Sequence, residues 1–498
     1  MLQACPCILV DLGFSKAQFC RFVQGEPVRR LYLFLPRFAV VLLFALTGLS
    51  AQSQSQLPSD IREKIDNLVT GTLARTATPG VSLVVIKEGQ IAYLKAYGNA
   101  RLEPQTAAKP EMRFCLGSLS KPFTAEAILL LQEQGKLLLD DKVSRFLPDL
   151  SRASDITIRQ LLSQTSGYQE YWTVDYLPLN VLQPTAPRKI LEQVASRPLN
   201  FDPGTKWEIS DTNYVIAGMI VEKASGMPLY RFLREKVFAP LGMDSAIDVD
   251  SEKLGLPDAA GYMRYALGPP RPAPREGQGW LFGGEELAMT AQDIGKWDIS
   301  LMNHELLKPA SYRQFETAVS LSNGLATNYA LGNGVTRKAE RRAIYGLGDV
   351  SGFSAANTIF PDDHIAIAVF ANMDAGAPPE ITNGIISLLF PKKSEPDPVA
   401  PQKLEQARKI FDSLQHGVLD RSLFTEDANH YFNEQALQDF ASSLTPLGNP
   451  QEFVPTEYSV ANGLVFRDYR IKFANLTLIA HTIEEQRGKL EQYNIEQE

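Results

Sequence analysis

Phe114-Cys115-Leu116-Gly117-Ser118-Leu119-Ser120-Lys121-Pro122-Phe123-Thr124-Ala125 is the stretch that decides the fold of this 498-residue chain. Ser118 and Lys121 stand three apart. A helix starting at Ser118 puts the hydroxyl and the amine on one face. Ala125, Ile128, Leu129 and Leu131 continue as an apolar stripe, and Gly135 ends it. Pro122 falls in the first turn, where a missing N–H costs little. A serine at a helix start has unpaired backbone N–H groups and the positive end of the dipole beside it, which favours an alkoxide. A neutral amine nearby can take its proton. This is the S-x-x-K arrangement. On the order of one or two such matches are expected by chance in a chain of this length, so the surroundings must decide.

Working outward, residues 61–73 read as an amphipathic helix, 81–86 and 91–97 as strands joined at Glu88-Gly89. After the serine helix come short helices at 156–162, 213–225 and 291–302, the last capped by Thr290. Strands are expected at 329–335, 352–360 and 365–372, and a closing helix at 381–389. Pro269 to Pro274 reads as an extended surface loop. Strands near both ends around a helical middle predict one sheet built from both chain ends.

Residues 1–50 read as leader and signal peptide. Arg29, Arg30 and Arg37 precede the apolar run Phe38 to Leu46, and Gly48 and Ser50 stand at −3 and −1 of a cut before Ala51. Residues 1–27 are long for such a leader, and a start near Val28 is expected. The chain is accordingly expected to be exported, periplasmic or extracellular, touching a membrane only through this segment if it is left uncleaved. Residues 58–390 form the main domain, the Pro-rich stretch 391–402 a linker, and 403–498 a small α+β domain with helices at 404–414 and 434–443 and strands at 464–473, 476–483 and 490–495.

Composition narrows the function. Net charge is −8 with no basic run, which excludes nucleic acid as an expected partner. Of the four cysteines, three lie in the leader, leaving Cys115 and no disulfide. The five histidines show no HExxH or similar spacing, so neither a metal nor another cofactor is expected.

Residues 61–389 resemble the serine β-lactamase and penicillin-binding-protein superfamily, in its class C-like branch with D-aminopeptidases, esterases and DD-carboxypeptidases. The resemblance rests on the serine helix, on Gly135 to Pro148, on Ile156-Thr157-Ile158-Arg159-Gln160-Leu161-Leu162-Ser163-Gln164-Thr165-Ser166-Gly167, on Pro203-Gly204 through Tyr214, on Pro240-Leu241-Gly242-Met243 and on Ser351-Gly352-Phe353. It implies an α/β (α+β) fold: an antiparallel sheet flanked by helices, plus a helical subdomain. It also implies an acylated Ser118, Lys121 as proton acceptor, and an oxyanion hole from the N–H groups of Ser118 and Asp349.

Two motifs depart from the family pattern. Where Tyr-x-Asn is usual, the register gives Ile209-Ser210-Asp211, with Ser210 and Asp211 as candidate stand-ins. Where Lys-Thr-Gly or His-x-Gly is usual, the chain has Gly346-Leu347-Gly348, so no cation is supplied for a substrate carboxylate. Asp211 close to Lys121 would keep the lysine protonated and a poor base. Two readings follow. One is a serine hydrolase forming a Ser118 acyl-enzyme with a small-molecule or peptide amide, ester or β-lactam of cell-wall type. The other is a degenerate member that binds cell-wall peptide or a protein without turnover.

Overall fold

The computed structural model describes residues 56–497 apart from 175–176, 195, 375, 392–396 and 462. The signal-peptide reading, with Cys5, Cys7 and Cys20, lies outside the described residues, as does part of the linker. Among the described residues no helix is long and apolar enough to cross a membrane.

The main sheet has seven antiparallel strands: β1 (Gly80–Lys87), β2 (Gln90–Leu102), β3 (Gln105–Ala107), β4 (Gly334–Lys338), β5 (Arg341–Val350), β6 (Phe353–Phe360) and β7 (Ile365–Ala371), in the order β3-β2-β1-β7-β6-β5-β4. Sequence-distant ends meet at its centre, where Val81 pairs with Ala371 and Val85 with Ile367. β1 and β7 are buried almost end to end because both faces are covered. Their side chains alternate between two cores. Val81, Leu83 and Val85 face helices α1 (Ser59–Thr76) and, late in the chain, 377–389. Val84 and Ile86 face the layer that holds the serine helix. Glu88 and Gly89 take positive φ in the β1–β2 turn, as a tight hairpin requires.

That second layer contains α2 (Lys121–Glu133), α3 (Thr212–Ser225) and α4 (Ala291–Asn303); α5 (Ala377–Leu389) completes the first. Local signals set several boundaries. Thr157 and Gln160 form a capping box at Ile158–Leu162, Thr290 accepts from the Asp293 N–H at the start of α4, and Gly226 ends α3 in the left-handed region. The expected helix start at Ser118 is corrected. Gly117–Ser120 is a 3-10 turn and the α-helix begins at Lys121, whose N–H donates to the Ser118 carbonyl. The three-residue spacing still brings the two side chains together.

Two further expectations are corrected. The strand expected at 329–335 begins only at Gly334, because Asn328 and Gly332 turn the chain through positive φ. β5 was not expected at all, since glycines and charges dilute its strand signal. The Pro269–Pro274 loop includes a two-residue strand, Arg271–Pro272, paired with Tyr262–Met263.

Beyond the linker, α6 (Ala400–Gln415), α7 (Glu426–Tyr431) and α8 (Glu434–Leu444) pack with a four-stranded sheet: β8 (Glu452–Ala461), β9 (Leu464–Lys472), β10 (Thr477–Glu484) and β11 (Leu490–Gln497). α6 starts within the stretch read as linker. β8 and α7 were missed. A buried ion network ties Asp397 to this sheet: Arg467 pairs with Asp397 at 2.6 Å and Glu484 at 2.5 Å, and Lys403 with Glu484 at 2.6 Å.

Candidate active site

The nucleophile turn is held from two sides. Phe114–Cys115 pairs with Leu287–Met289, and the Leu116 N–H donates to the Leu287 carbonyl at 2.9 Å. The Leu287 N–H donates to Ser120 Oγ at 3.2 Å and Thr124 Oγ1 donates to the Gly283 carbonyl at 2.6 Å. The segment Gly283 to Met289 is thus bonded along the serine turn, which delivers Glu285 to Ser118. From the other side comes β5. A Cβ on Gly348 would lie 1.9 Å from the Leu116 carbonyl oxygen, and one on Gly117, itself at φ +53°, would lie 2.7 Å from Asp349 N. Only glycines permit this approach of β5 to the turn.

Ser118 is half-buried. Its Oγ accepts from Lys121 Nζ at 2.5 Å and donates to Glu285 Oε1 at 3.0 Å. Lys121, 3% exposed, forms an ion pair with Asp211 at 2.6 Å and stands 3.8 Å from Glu285. Its ammonium also lies 5.8 Å from the centre of the Tyr214 ring. Burial alone pulls Lys121 down, but the Asp211 and Glu285 carboxylates outweigh it and hold the ammonium above its usual range. Lys121 is therefore cationic at neutral pH.

Asp211 stands at the N-cap of α3 without capping it, leaving its carboxylate to Lys121. Its N–H donates to Glu170 Oε2 at 2.5 Å, and Glu170 also accepts from the Trp172 N–H at 2.8 Å. Burial and then repulsion from Asp211 push Glu170 up to about 7. Glu285 is driven well above the carboxylate range by burial and by Asp211, against the pull of Lys121. Tyr329 bonds Tyr214 and senses the charge of Lys121; burial pushes it up to about 12.

The structure brings Ser118, Lys121 and Asp211 together. Ser210 is corrected: its hydroxyl donates to the Gln169 carbonyl at 3.2 Å, away from the cluster. Gln164 pins the segment by accepting from the Ser210 N–H at 3.0 Å and Asn213 Nδ2 at 2.6 Å. Gly346 lies against Leu119, whose Cδ2 is 2.5 Å from where a Cβ would stand. Leu119 thus fills the space in which a third-motif side chain would begin.

Beside this cluster opens a cleft of about 830 Å³. Its wall includes Glu170, Asp211, Glu285, Asp349 and Asp374, with Trp172, Leu177, Ile209 and Tyr265 supplying apolar surface. Burial raises Asp349 and pushes Asp374 up to about 6. Elsewhere, Asp248, Asp250 and Glu286 bring carboxylate oxygens within 4.8 Å of one another, the one such trio among the described residues. Glu286 accepts from the Gly283 N–H at 3.1 Å, and burial pushes Asp250 up to about 7. Sequence reasoning missed Glu170 and Glu285. The available signal was two adjacent glutamates, Glu285-Glu286, inside the apolar run from Trp280 to Met289.

The Beta-lactamase family profile matches residues 65–388. The chain belongs to this family. Penicillin-binding protein 4* of Bacillus subtilis (strain 168) is 26% identical over 360 residues, 67% of this chain and 76% of that protein. Among solved structures, the octameric penicillin-binding protein homologue from Pyrococcus abyssi superimposes with a TM-score of 0.57 at 20% identity, over 87% of this chain and 99% of the other. D-amino acid amidase from Ochrobactrum anthropi SV3, complexed with L-phenylalanine amide, gives 0.59 at 22% identity over 66% and 99%. These likenesses bear out the β-lactamase/transpeptidase-like fold of helices around antiparallel sheet read from the sequence. The family match over residues 65–388 also places the chain in a serine hydrolase superfamily. The Lys121 ammonium stands beside the Asp211 and Glu285 carboxyls, in a chain that lacks the tyrosine and the second cation of the family pattern.

Proposed function

We propose that this protein is a serine hydrolase that passes through a Ser118 acyl-enzyme and acts on amides or esters rather than on carboxylate-bearing β-lactams. The observation that carries this is the Ser118 hydroxyl, half-buried and bonded to both Lys121 and Glu285 beside an open cleft. Such a group is a usable nucleophile once its proton is accepted. The N–H groups of Ser118 and Asp349 are the candidate oxyanion donors, supported by the close approach of β5 to Gly117. Gly346 and Gly348 serve this reading as the glycines that admit β5 to the turn.

The restriction against β-lactams rests on charge. Five carboxyls line the cleft, and Leu119 fills the third-motif space. A penicillin carboxylate finds no third-motif cation there, and the Lys121 ammonium nearby is already paired with Asp211. The leader sequence supports action outside the cytoplasm, on small molecules or peptides of cell-wall origin.

The second reading, a binding module without turnover, is favoured by the Lys121–Asp211 ion pair, which denies the lysine its usual role as base. Labelling separates the two. A fluorophosphonate probe is expected to label the wild type and not Ser118→Ala, with a fluorescent penicillin labelling far more slowly. Failure of folded protein to react with either probe favours the binding module.

A further inference from the structure

We infer that Glu285, not Lys121, is the general base that takes the proton from Ser118. The inference rests on the hydrolase reading above and assigns its missing proton acceptor. The direction of the hydrogen bonds carries it. Lys121 donates to Ser118 Oγ at 2.5 Å, so the serine proton cannot point at the ammonium. Glu285 Oε1, 3.0 Å from the hydroxyl, is the acceptor open to that proton whenever Glu285 is ionised. Lys121 is already paired with Asp211 at 2.6 Å, which stabilises its charged form. A cationic lysine has no lone pair to accept with. It can instead hold positive charge 2.5 Å from an oxygen that is becoming an alkoxide.

Glu285 meets the geometric requirement for a base, within hydrogen-bond reach of the proton it removes. It is 6% exposed, yet it lines the cleft, so it touches both the nucleophile and the space where substrate binds. Its surroundings also tune it. Lys121 reaches it from α2, Asp211 from the start of α3, and Glu170 and Tyr171 from the preceding loop. Burial and the two neighbouring carboxyls make its proton hard to remove, which also makes its ionised form a stronger base than an exposed carboxylate.

The step balances as follows. The Ser118 O–H bond breaks and its electron pair forms the Oγ–C bond to the substrate carbonyl. The proton goes to Glu285 Oε1, and the carbonyl π pair moves onto its oxygen. On collapse, the C–O or C–N bond to the leaving group breaks and that group takes the proton from Glu285. Water then attacks the acyl carbon, giving its proton to Glu285. Ser118 Oγ leaves with that proton, and the carboxylic acid is released. Neither an oxidant nor a metal is consumed.

The test is the rate of fluorophosphonate labelling from pH 4.5 to 9 for the full chain, Glu285→Gln and Glu285→Asp. The wild-type rate is expected to climb along one limb as Glu285 ionises. Glu285→Gln keeps the shape and the hydrogen bond but cannot accept a proton. It is expected to lose roughly 100-fold or more in rate, the lower end of what a general base contributes, together with the limb. Glu285→Asp should recover part of both. A purely positioning carboxyl would lower the rate without removing the limb. If folded Glu285→Gln labels at the wild-type rate, or keeps the limb, the inference is overturned while the hydrolase reading stands. If the wild type itself never labels, both fall.

Discussion

Removing Asp211 should cost this protein less than its ion pair suggests, because Glu285 stands ready to replace it. Lys121 Nζ is 2.6 Å from Asp211 and 3.8 Å from Glu285. At an effective dielectric of about 20 these separations correspond to roughly 6 and 4 kcal/mol of Coulomb attraction. In the wild type burial first, and then repulsion from the Asp211 carboxylate, hold Glu285 well above the carboxylate range. Asp211→Asn removes that repulsion and eases ionisation of Glu285, which then pairs with the lysine at the longer distance. The expected loss is the difference, about 2 kcal/mol at pH 7. Glu285→Gln alone should cost under about 1 kcal/mol, since it replaces one hydrogen-bonding group by another. The double variant leaves a buried ammonium with neither partner and should cost about 3–5 kcal/mol. At the middle of these ranges the double loss exceeds the sum of the singles by about 1.5 kcal/mol, the signature of coupled sites. Urea denaturation followed by tryptophan fluorescence reads the right domain, because Trp172, Trp207, Trp280 and Trp297 all lie before the linker. Singles that add to the double within about 0.5 kcal/mol would refute the hand-over of charge.

Two other outcomes test different parts of the structure. Gly348→Ala places a methyl 1.9 Å from the Leu116 carbonyl oxygen; it should cost roughly 1–3 kcal/mol and sharply lower Ser118 labelling, and a variant with unchanged Tm and labelling would contradict the packing of β5 on the turn. Glu126 is wholly buried, accepts from Trp297 Nε1 at 3.0 Å and is pushed from 4.5 up to about 7 by burial. The folded state therefore holds this proton more tightly than the unfolded one, and stability falls as pH rises from about 4.5 to 7. Glu126→Gln, neutral throughout, should match the wild type near pH 4.5 and exceed it at pH 8.5 by at most about 3 kcal/mol, read from urea midpoints; a difference that does not change with pH would refute the assignment.

Much of the architecture was legible because it is written in local signals. The S-x-x-K turn, the Glu88-Gly89 hairpin, the Thr290 cap and the Gly226 stop each act within a few residues of themselves. β5 was not legible. Its glycines, Gly346 and Gly348, are required by the close approach of Leu119 and the Leu116 carbonyl, and such glycines erase the alternation that marks a strand. The site divides in the same way. Ser118, Lys121 and Asp211 fall in motifs with a register to read. Ser210 was misassigned because its hydroxyl turns to the Gln169 carbonyl, a choice made by a loop fold that no spacing encodes. Glu170 and Glu285 enter from segments far from the serine, and only the tertiary packing brings them to it. The lysine's protonation could be anticipated once Asp211 was suspected nearby, whereas the group that replaces it as base could not.

The pairing of β1 with β7 has a consequence for how the molecule is made. The strand that occupies the middle of the sheet leaves the ribosome early, and its neighbour on one side, residues 365–371, leaves almost three hundred residues later. Until then an apolar ribbon with an open hydrogen-bonding edge has nothing to close against, and the domain is slow to complete because its central contact spans nearly its whole length. A nascent chain cut short anywhere before Ala371 keeps that edge exposed. The molecule thus depends, during synthesis, on whatever shields unfinished strands from one another.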